Sequence, residues 1–298
     1  MIVLVSGASG FLGTRLIKRL VSDHRDVVAI ARSPIPTVFE GHPNVRWLVK
    51  DIAMDGLDAS CLPKISSVVH LAGATLGAGK DENKFLCANE QTTVRLLQAL
   101  ADYTESFIFA SSQVVYGDAC HLGVTEDFPL QSDCSAYACS KLNSENWMRW
   151  FQKRYGGQYV ALRFSGFIDG GGIVDYMIDK ALAEEPIELF SQGKVCRDYL
   201  PSADAINVLV TALNQDGMAG FLPVNIGSGQ PVSAHELATL ICTELHSSSP
   251  INLLDTPSPQ GNFVFSIDRA KALFDFRPSR LTDAVRLYAR SRAREQVY

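Results

Sequence analysis

The sequence predicts an α/β fold: a doubly wound parallel sheet with helices on both faces, followed by a smaller C-terminal α/β lobe. Three observations carry that expectation. The chain opens on a continuous apolar, β-rich run, Met1-Ile2-Val3-Leu4-Val5, without the alternation of a half-exposed strand. That run ends in glycines at positions 7, 10 and 13, and apolar residues at helical spacing follow at once. Strand-like and helix-like segments then alternate to about residue 165, the order that βαβ units impose.

In the first unit, Leu12, Leu16, Ile17, Leu20 and Val21 share one face of a helix over 11–22. The free N–H groups and dipole at the start of such a helix form a site for a pyrophosphate. Gly7, Gly10 and Gly13 permit the tight turn, the approach of phosphate to backbone and close helix–strand packing. Their spacing is G-x-x-G-x-x-G, and their position between first strand and first helix points to a dinucleotide. A second strand, Val27 to Ala31, ends at Arg32, where the adenosine ribose is read. An acidic residue there would suit NAD(H). A guanidinium suits the 2′-phosphate, so NADP(H) is preferred, the other reading of Arg32 being a solvated strand end. The third strand, Val45 to Val49, leads to Asp51 and Ile52, with Asp51 a candidate for the adenine amino group or for a cap.

Further strands are expected near 67–72, 107–111 and 159–164, and helices near 82–102 and 137–155. Beyond residue 165 helices over 173–185, 203–214, 233–246 and 268–274 are separated by Pro- and Gly-marked loops. The expected division is a dinucleotide-binding domain over 1–165 and a substrate-binding lobe over 166–298, interleaved with the first.

The pair most suggestive of chemistry is Tyr137 and Lys141, preceded 25 residues upstream by Ser112. Four apart at a helix start, the two lie on one face, so the ammonium sits near the phenol. A free tyrosine titrates near pH 10, and a nearby cation favours the phenolate, bringing its titration toward the working range. Hydride transfer at an alcohol carbon needs such a proton partner.

Composition sets limits. With 298 residues, 47% hydrophobic and 20% charged, the chain can bury a substantial core. A net charge of −5 gives no general attraction for nucleic acid or anionic membrane, and the basic stretch Arg286 to Arg294 is expected to be a solvated helix face. No apolar run of about 18 residues and no signal segment is present, so a cytoplasmic protein that neither binds nor crosses a membrane is expected. Seven cysteines without Cys-x-x-Cys or His-rich spacing imply scattered reduced thiols and no metal site.

Further motifs follow in order: Val69-His70-Leu71-Ala72-Gly73, Asn89-Glu90-Gln91-Thr92-Thr93, Ser111-Ser112-Gln113-Val114-Val115-Tyr116-Gly117, Arg197-Asp198-Tyr199 with Asp204, and Asn225-Ile226-Gly227-Ser228-Gly229. Together with the glycine turn and Tyr137 to Lys141, they resemble the extended short-chain dehydrogenases/reductases of the NAD-dependent epimerase/dehydratase group, which act on nucleotide sugars. The likeness runs over essentially the whole chain. It implies a Rossmann-type sheet, Tyr137 as acid/base, Lys141 on the nicotinamide ribose and Ser112 as hydrogen-bond partner of the reacting hydroxyl, with Ser111 the lesser choice. It also implies cofactor contacts from Ser9, Phe11, Leu12, Leu71, Ala72, Gly73 and Asn89. Arg197 is expected on a substrate phosphate, with Asp198 and Asp204 ordering its loop, while His70 is expected to be a packed histidine beside the cofactor.

The chain departs from the family pattern in three places. Gln113 and Val114 stand where dehydratases of the family carry Asp-Glu, and neither can protonate a leaving hydroxyl. Arg-x-x-Asn reads Arg163-Phe164-Ser165-Gly166, and Arg-x-Gly-Asp reads Pro259-Gln260-Gly261-Asn262. Diphosphate recognition is therefore reduced or rearranged. The resemblance implies an NAD(P)-dependent oxidoreductase acting at C4 of a nucleotide-activated hexose. An NADPH-dependent 4-keto sugar reductase is the first reading, because Arg32 suits NADP. An NAD-dependent 4-epimerase is the alternative. The lost phosphate contacts add reduction of a ketone or aldehyde not linked to a nucleotide, and a non-catalytic NAD(P)-binding sensor is opposed by the intact Ser112, Tyr137 and Lys141. Trp147, Met148, Trp150 and Phe151 exceed what one buried helix face requires, and similar enzymes pair these helices in a homodimer.

Overall fold

The apolar runs pair side by side. In a computed structural model that describes residues 1–75, 81–117, 121–131, 133–215 and 217–295, β1 (Ile2–Ser6), β2 (Asp26–Ala31), β3 (Val45–Val49), β4 (Ser67–His70) and β5 (Ser106–Ser112) join Gln158–Phe164 and Gly220–Ile226 in a seven-stranded sheet. Its order is Gly220–Ile226, Gln158–Phe164, β5, β4, β1, β2, β3. The pairs β1–β2, β2–β3, β1–β4 and β4–β5 are parallel, with Val3 opposite Val27 on one side and Ser67 on the other. In β1 the consecutive residues Val3, Leu4 and Val5, which point to opposite faces of the sheet, are all completely buried, which is why its sequence shows no alternation. The chain order reverses between β1 and β4, and the crevice at their carboxyl ends is where an open α/β sheet binds ligands.

The helix α1 (Phe11–Ser22) buries Leu16, Ile17 and Leu20. Its Gly13 lies so close to the turn that a Cβ there would meet the Gly7 carbonyl oxygen at 2.2 Å. The segment expected as one helix over 82–102 has three parts: Glu82–Phe85, a π-helical stretch Leu86–Gln91, and Thr92–Leu100. The wider π turn shifts the helical phase and coincides with the buried Asn89, whose partners are described below.

The long helix Ala136–Tyr155 starts where the Ser135 hydroxyl accepts from Ala138 N and ends at Gly156, whose φ of 76° only glycine adopts easily. It buries Tyr137, Lys141, Ser144, Glu145, Met148 and Phe151, positions three and four apart along one face. Met148 and Phe151 join Leu4, Val28, Leu96, Phe107 and Phe109 in the core. The first turns of the same face bury polar groups, which require partners.

Contacts divide the chain into two units, Met1–Gly117 with Pro129–Arg163 and Ile206–Val224, and Asp118–Phe128 with Phe164–Ala205 and Asn225–Tyr298. The second holds a four-stranded sheet in the order Val232–Ser233, Cys196–Arg197, Phe263–Phe265, His121–Val124. Its core, including Met177, Ile178, Leu237, Ile241, Leu281 and Val285, is built by the helices Ile173–Leu182, Ala234–Leu245 and Leu281–Glu295. The basic face of the last helix is more than solvated: Arg286 and Arg290 pair with Glu244, and Arg292 with Asp175 and Asp179. Among the described residues no helix is long and apolar enough to cross a membrane.

Candidate active site

A cleft of about 1000 Å³ opens at the carboxyl ends of β1, β2 and β4. Its walls include Gly7, Ser9 and Gly10 from the glycine turn, Arg32 after β2, Asp51 and Ile52 after β3, and Leu71, Ala72 and Gly73 after β4. Phe11, Leu12, Gly13, Asn89, Tyr137 and Lys141 are not part of this lining. Sequence reasoning missed Ser33 and Lys50, whose adjacency to strand ends could have found them, and the wall formed by Asp81, Asn83, Lys84, Cys87 and Ala88, which no local signal marks.

The cradle fits a dinucleotide. Gly7 has φ of 71°, and a Cβ on it would lie 2.5 Å from Ala72 N. Gly10, at the start of α1, brings no side-chain cap to the helix end, and the first turn of α1 carries no acidic residue, so nothing there repels an anion. Arg32 is exposed and has no hydrogen bond or ion pair among the described residues. Asp51 caps the short helix Ile52–Asp55, accepting from Ala53 N at 3.1 Å and Met54 N at 3.4 Å, while still facing the cleft.

Tyr137 and Lys141 are 8% and 6% exposed. The Lys141 Nζ donates to the Ala110 carbonyl at 2.8 Å, 4.7 Å from the Phe109 ring centre and 5.9 Å from that of Tyr137. Burial lowers the Lys141 ammonium to about 8, with Glu145 pulling the other way. The Tyr137 phenol is raised: burial disfavours the phenolate, and a hydrogen bond with Ser112 opposes it. The four-residue spacing led to the expectation of a lowered phenol, and desolvation, which spacing does not report, outweighs it. Ser112 also caps the turn Gln113–Tyr116, accepting from Val114 N at 3.4 Å. Its neighbour Ser111 is committed to Glu145 at 2.5 Å.

Asn89 is fully buried, accepting from Ala74 N at 2.6 Å and donating to the Ala74 carbonyl and to Ser140 Oγ at 3.3 and 2.8 Å. It ties the loop after β4 to the helix of Tyr137. His70 bonds Ser6 at 2.7 Å and Thr93 at 2.9 Å and is pushed down to about 3, first by burial and then by Lys141, so it is neutral and packed. The buried Gln113 side-chain oxygen has no hydrogen-bond partner among the described residues.

In the second unit Arg197 donates to the Gly261 carbonyl at 2.9 Å and its guanidinium lies 5.5 Å from the Phe263 ring centre. Asp198, 1% exposed, accepts from Ser228 N and Oγ, both at 2.8 Å, and from Gly229 N and Phe265 N, both at 3.2 Å. Asp204 accepts from Ser279 N and Oγ. Asn262, where the family has Asp, accepts from Cys196 N at 2.8 Å.

A switch-point cleft with a glycine cradle, beside a half-buried Ser112 and the buried Tyr137 and Lys141, defines a nicotinamide-dependent enzyme of the short-chain type. Residues 3–227 match the NAD dependent epimerase/dehydratase family, and the chain belongs to it. It is 26% identical to the dTDP-4-dehydro-6-deoxyglucose reductase of Escherichia coli over 303 residues, covering 94% of both chains. It is 28% identical to the UDP-glucose 4-epimerase of Lactobacillus helveticus over 230 residues, 73% of this chain and 62% of that one. Among solved structures, MoeE5 in complex with UDP-glucose and NAD superposes with a TM-score of 0.84 at 26% identity, covering 99% of this chain and 100% of the other.

Proposed function

We propose that the protein is an NAD-dependent 4-epimerase of a nucleotide-linked hexose, with a UDP-hexose as first candidate. The observation that carries this reading is the buried Tyr137 phenol, on whose ionisation Ser112 acts, on a fold whose solved relative holds UDP-glucose and NAD. Gly7, Ser9 and Gly10 would hold the cofactor pyrophosphate, Arg32, Asp51 and Ile52 its adenosine, and Leu71 to Gly73 with Lys141 the nicotinamide end, Asn89 fixing that loop from behind. A bound nicotinamide supplies uptake and return of a hydride at the sugar carbon. Tyr137 takes the proton of the 4-hydroxyl and gives it back, with Ser112 holding the oxygen. Lys141, as an ammonium, binds ribose hydroxyls and favours the phenolate when the proton is on the substrate. Arg197 is the proposed contact for a substrate phosphate. Gln113 and Val114 supply no acid, so the reaction stops short of dehydration.

A second reading, an NADPH-dependent 4-keto sugar reductase, is favoured by the unpartnered Arg32 at the ribose end of the cleft and by the likeness to the Escherichia coli reductase. One experiment separates the two. Purified protein is incubated with NAD and UDP-glucose or related UDP-sugars, and separately with NADPH and dTDP-4-keto-6-deoxyhexoses. A new epimer without net NADH supports the epimerase. Stoichiometric loss of NADPH supports the reductase and sinks the epimerase. Tyr137→Phe is expected to abolish either activity, and full activity in that variant would overturn the acid/base assignment. Exposed Trp147 and Trp150 on the long helix support a homodimer through that face, to be tested by sedimentation.

A further inference from the structure

Four buried polar groups behind Ser112 take no part in the chemistry described so far. Arg163 donates Nε and Nη2 to the two oxygens of Glu145 at 3.0 and 2.7 Å, and Nη1 to the Tyr116 hydroxyl at 2.8 Å. Ser111 donates to the same carboxylate at 2.5 Å. Arg163 and Glu145 are 1% and 0% exposed.

A buried ion pair is a poor way to stabilise a fold, because taking two ions out of water costs about as much as their attraction returns. Its connectivity is a better account. Glu145 lies on the long helix, one turn beyond Lys141 and two beyond Tyr137. Ser111 directly precedes Ser112 at the end of β5, and Tyr116 closes the turn that Ser112 caps. Arg163 comes from the strand beside β5. Ser112 is therefore held from both sides: through Ser111 to Glu145, and through Tyr116 to Arg163 and again to Glu145.

We propose that Glu145 and Arg163 are positioning residues, a buried clamp that sets Ser112 against Tyr137 by tying both ends of the serine's segment to the helix that carries the phenol. This rests on Tyr137 and Ser112 being the proton-handling pair. Glu145 acts on Lys141 as well, since its carboxylate opposes the effect of burial on the ammonium. Among the described residues, the other titratable groups near Lys141 are Tyr137 on the same helix and neutral His70 on β4, while β5 presents the Ala110 carbonyl and the Phe109 ring.

Ser111→Ala and Tyr116→Phe each cut one tie while leaving both charges paired. The full chain with NAD is assayed for turnover of UDP-glucose, for thermal unfolding, and for titration of Tyr137 by its phenolate ultraviolet difference spectrum against the matching protein carrying Tyr137→Phe. Both variants are expected to stay folded, to lose about ten-fold in kcat with KM changed by less than about two-fold, and to titrate Tyr137 at higher pH as the Ser112 bond weakens. An unshifted phenol with wild-type kcat in both overturns the clamp. So does a loss of kcat no larger than the loss of folded protein, which would make the network a stability element. If Tyr137→Phe alone retains activity, or UDP-glucose is not turned over, the functional reading fails separately, and the phenol titration, which needs no turnover, still decides the clamp.

Discussion

Replacing Gly7 with alanine tests the link from the first turn to cofactor binding. Gly7 holds φ of 71°, a conformation that costs an L-residue about 1 kcal/mol. The added Cβ would lie 2.5 Å from Ala72 N and 2.7 Å from Ala72 Cα and from the Leu71 carbonyl carbon, all backbone atoms that no side-chain rotation can clear. The turn after β1 and the loop after β4 must then part by roughly 0.9 Å to restore ordinary contact, an overpacking that costs about 1–3 kcal/mol. Gly7→Ala should thus destabilise by about 2–4 kcal/mol, or about 5–10 °C in Tm. Both displaced segments line the cleft, so NAD affinity should fall about ten-fold or more. Thermal unfolding and calorimetric titration with NAD measure the two. A variant with the wild-type Tm and NAD affinity would refute the claim that turn and loop are in backbone contact across the site.

Three other substitutions test separate parts of the structure. Lys141→Met should inactivate the enzyme yet stabilise it at neutral pH: burial lowers the ammonium from 10.5 to about 8, so below that pH the folded state carries a cost of up to about 3 kcal/mol. Between those values the unfolded chain binds the extra proton, wild-type stability rises with pH, and the advantage of Lys141→Met should fade; equal stability of both proteins at pH 7 would contradict this. Asp198→Asn leaves one oxygen for three backbone N–H groups and Ser228 Oγ, and should cost about 2–4 kcal/mol, with faster amide exchange at Gly229 or Phe265 as the local signature. Arg32→Ala should weaken NADP by about ten-fold while sparing NAD; unchanged affinities for both would make Arg32 a solvated strand end.

Much of the first unit was legible in the sequence because its signals are local. An unbroken apolar run signals a strand covered on both faces, and in β1 Val3, Leu4 and Val5 are all fully buried. Glycines that permit a turn, and apolar residues three and four apart, depend on near neighbours only, which is why α1 follows the glycine turn directly. Three features were beyond such reasoning. The π-helical stretch accompanies Asn89 bonds to Ala74 and Ser140, 15 and 51 positions away. In the sequence Arg163 stands only as the first residue of an altered Arg-x-x-Asn motif, and the structure commits it to Glu145 and Tyr116 on other elements. In the second unit, His121–Val124 pairs with Phe263–Phe265 although some 140 residues separate them, and no periodicity announces that pairing.

The sequence by itself determined which segments are strands and helices, where glycine must stand, and which side chains can carry a proton or meet a phosphate, because backbone preference, periodicity and functional-group chemistry belong to short stretches of chain. Tertiary structure alone decided the raised Tyr137 phenol, the lowered Lys141 ammonium and the neutral His70. Desolvation and hydrogen-bond partnership depend on residues brought together from distant parts of the chain.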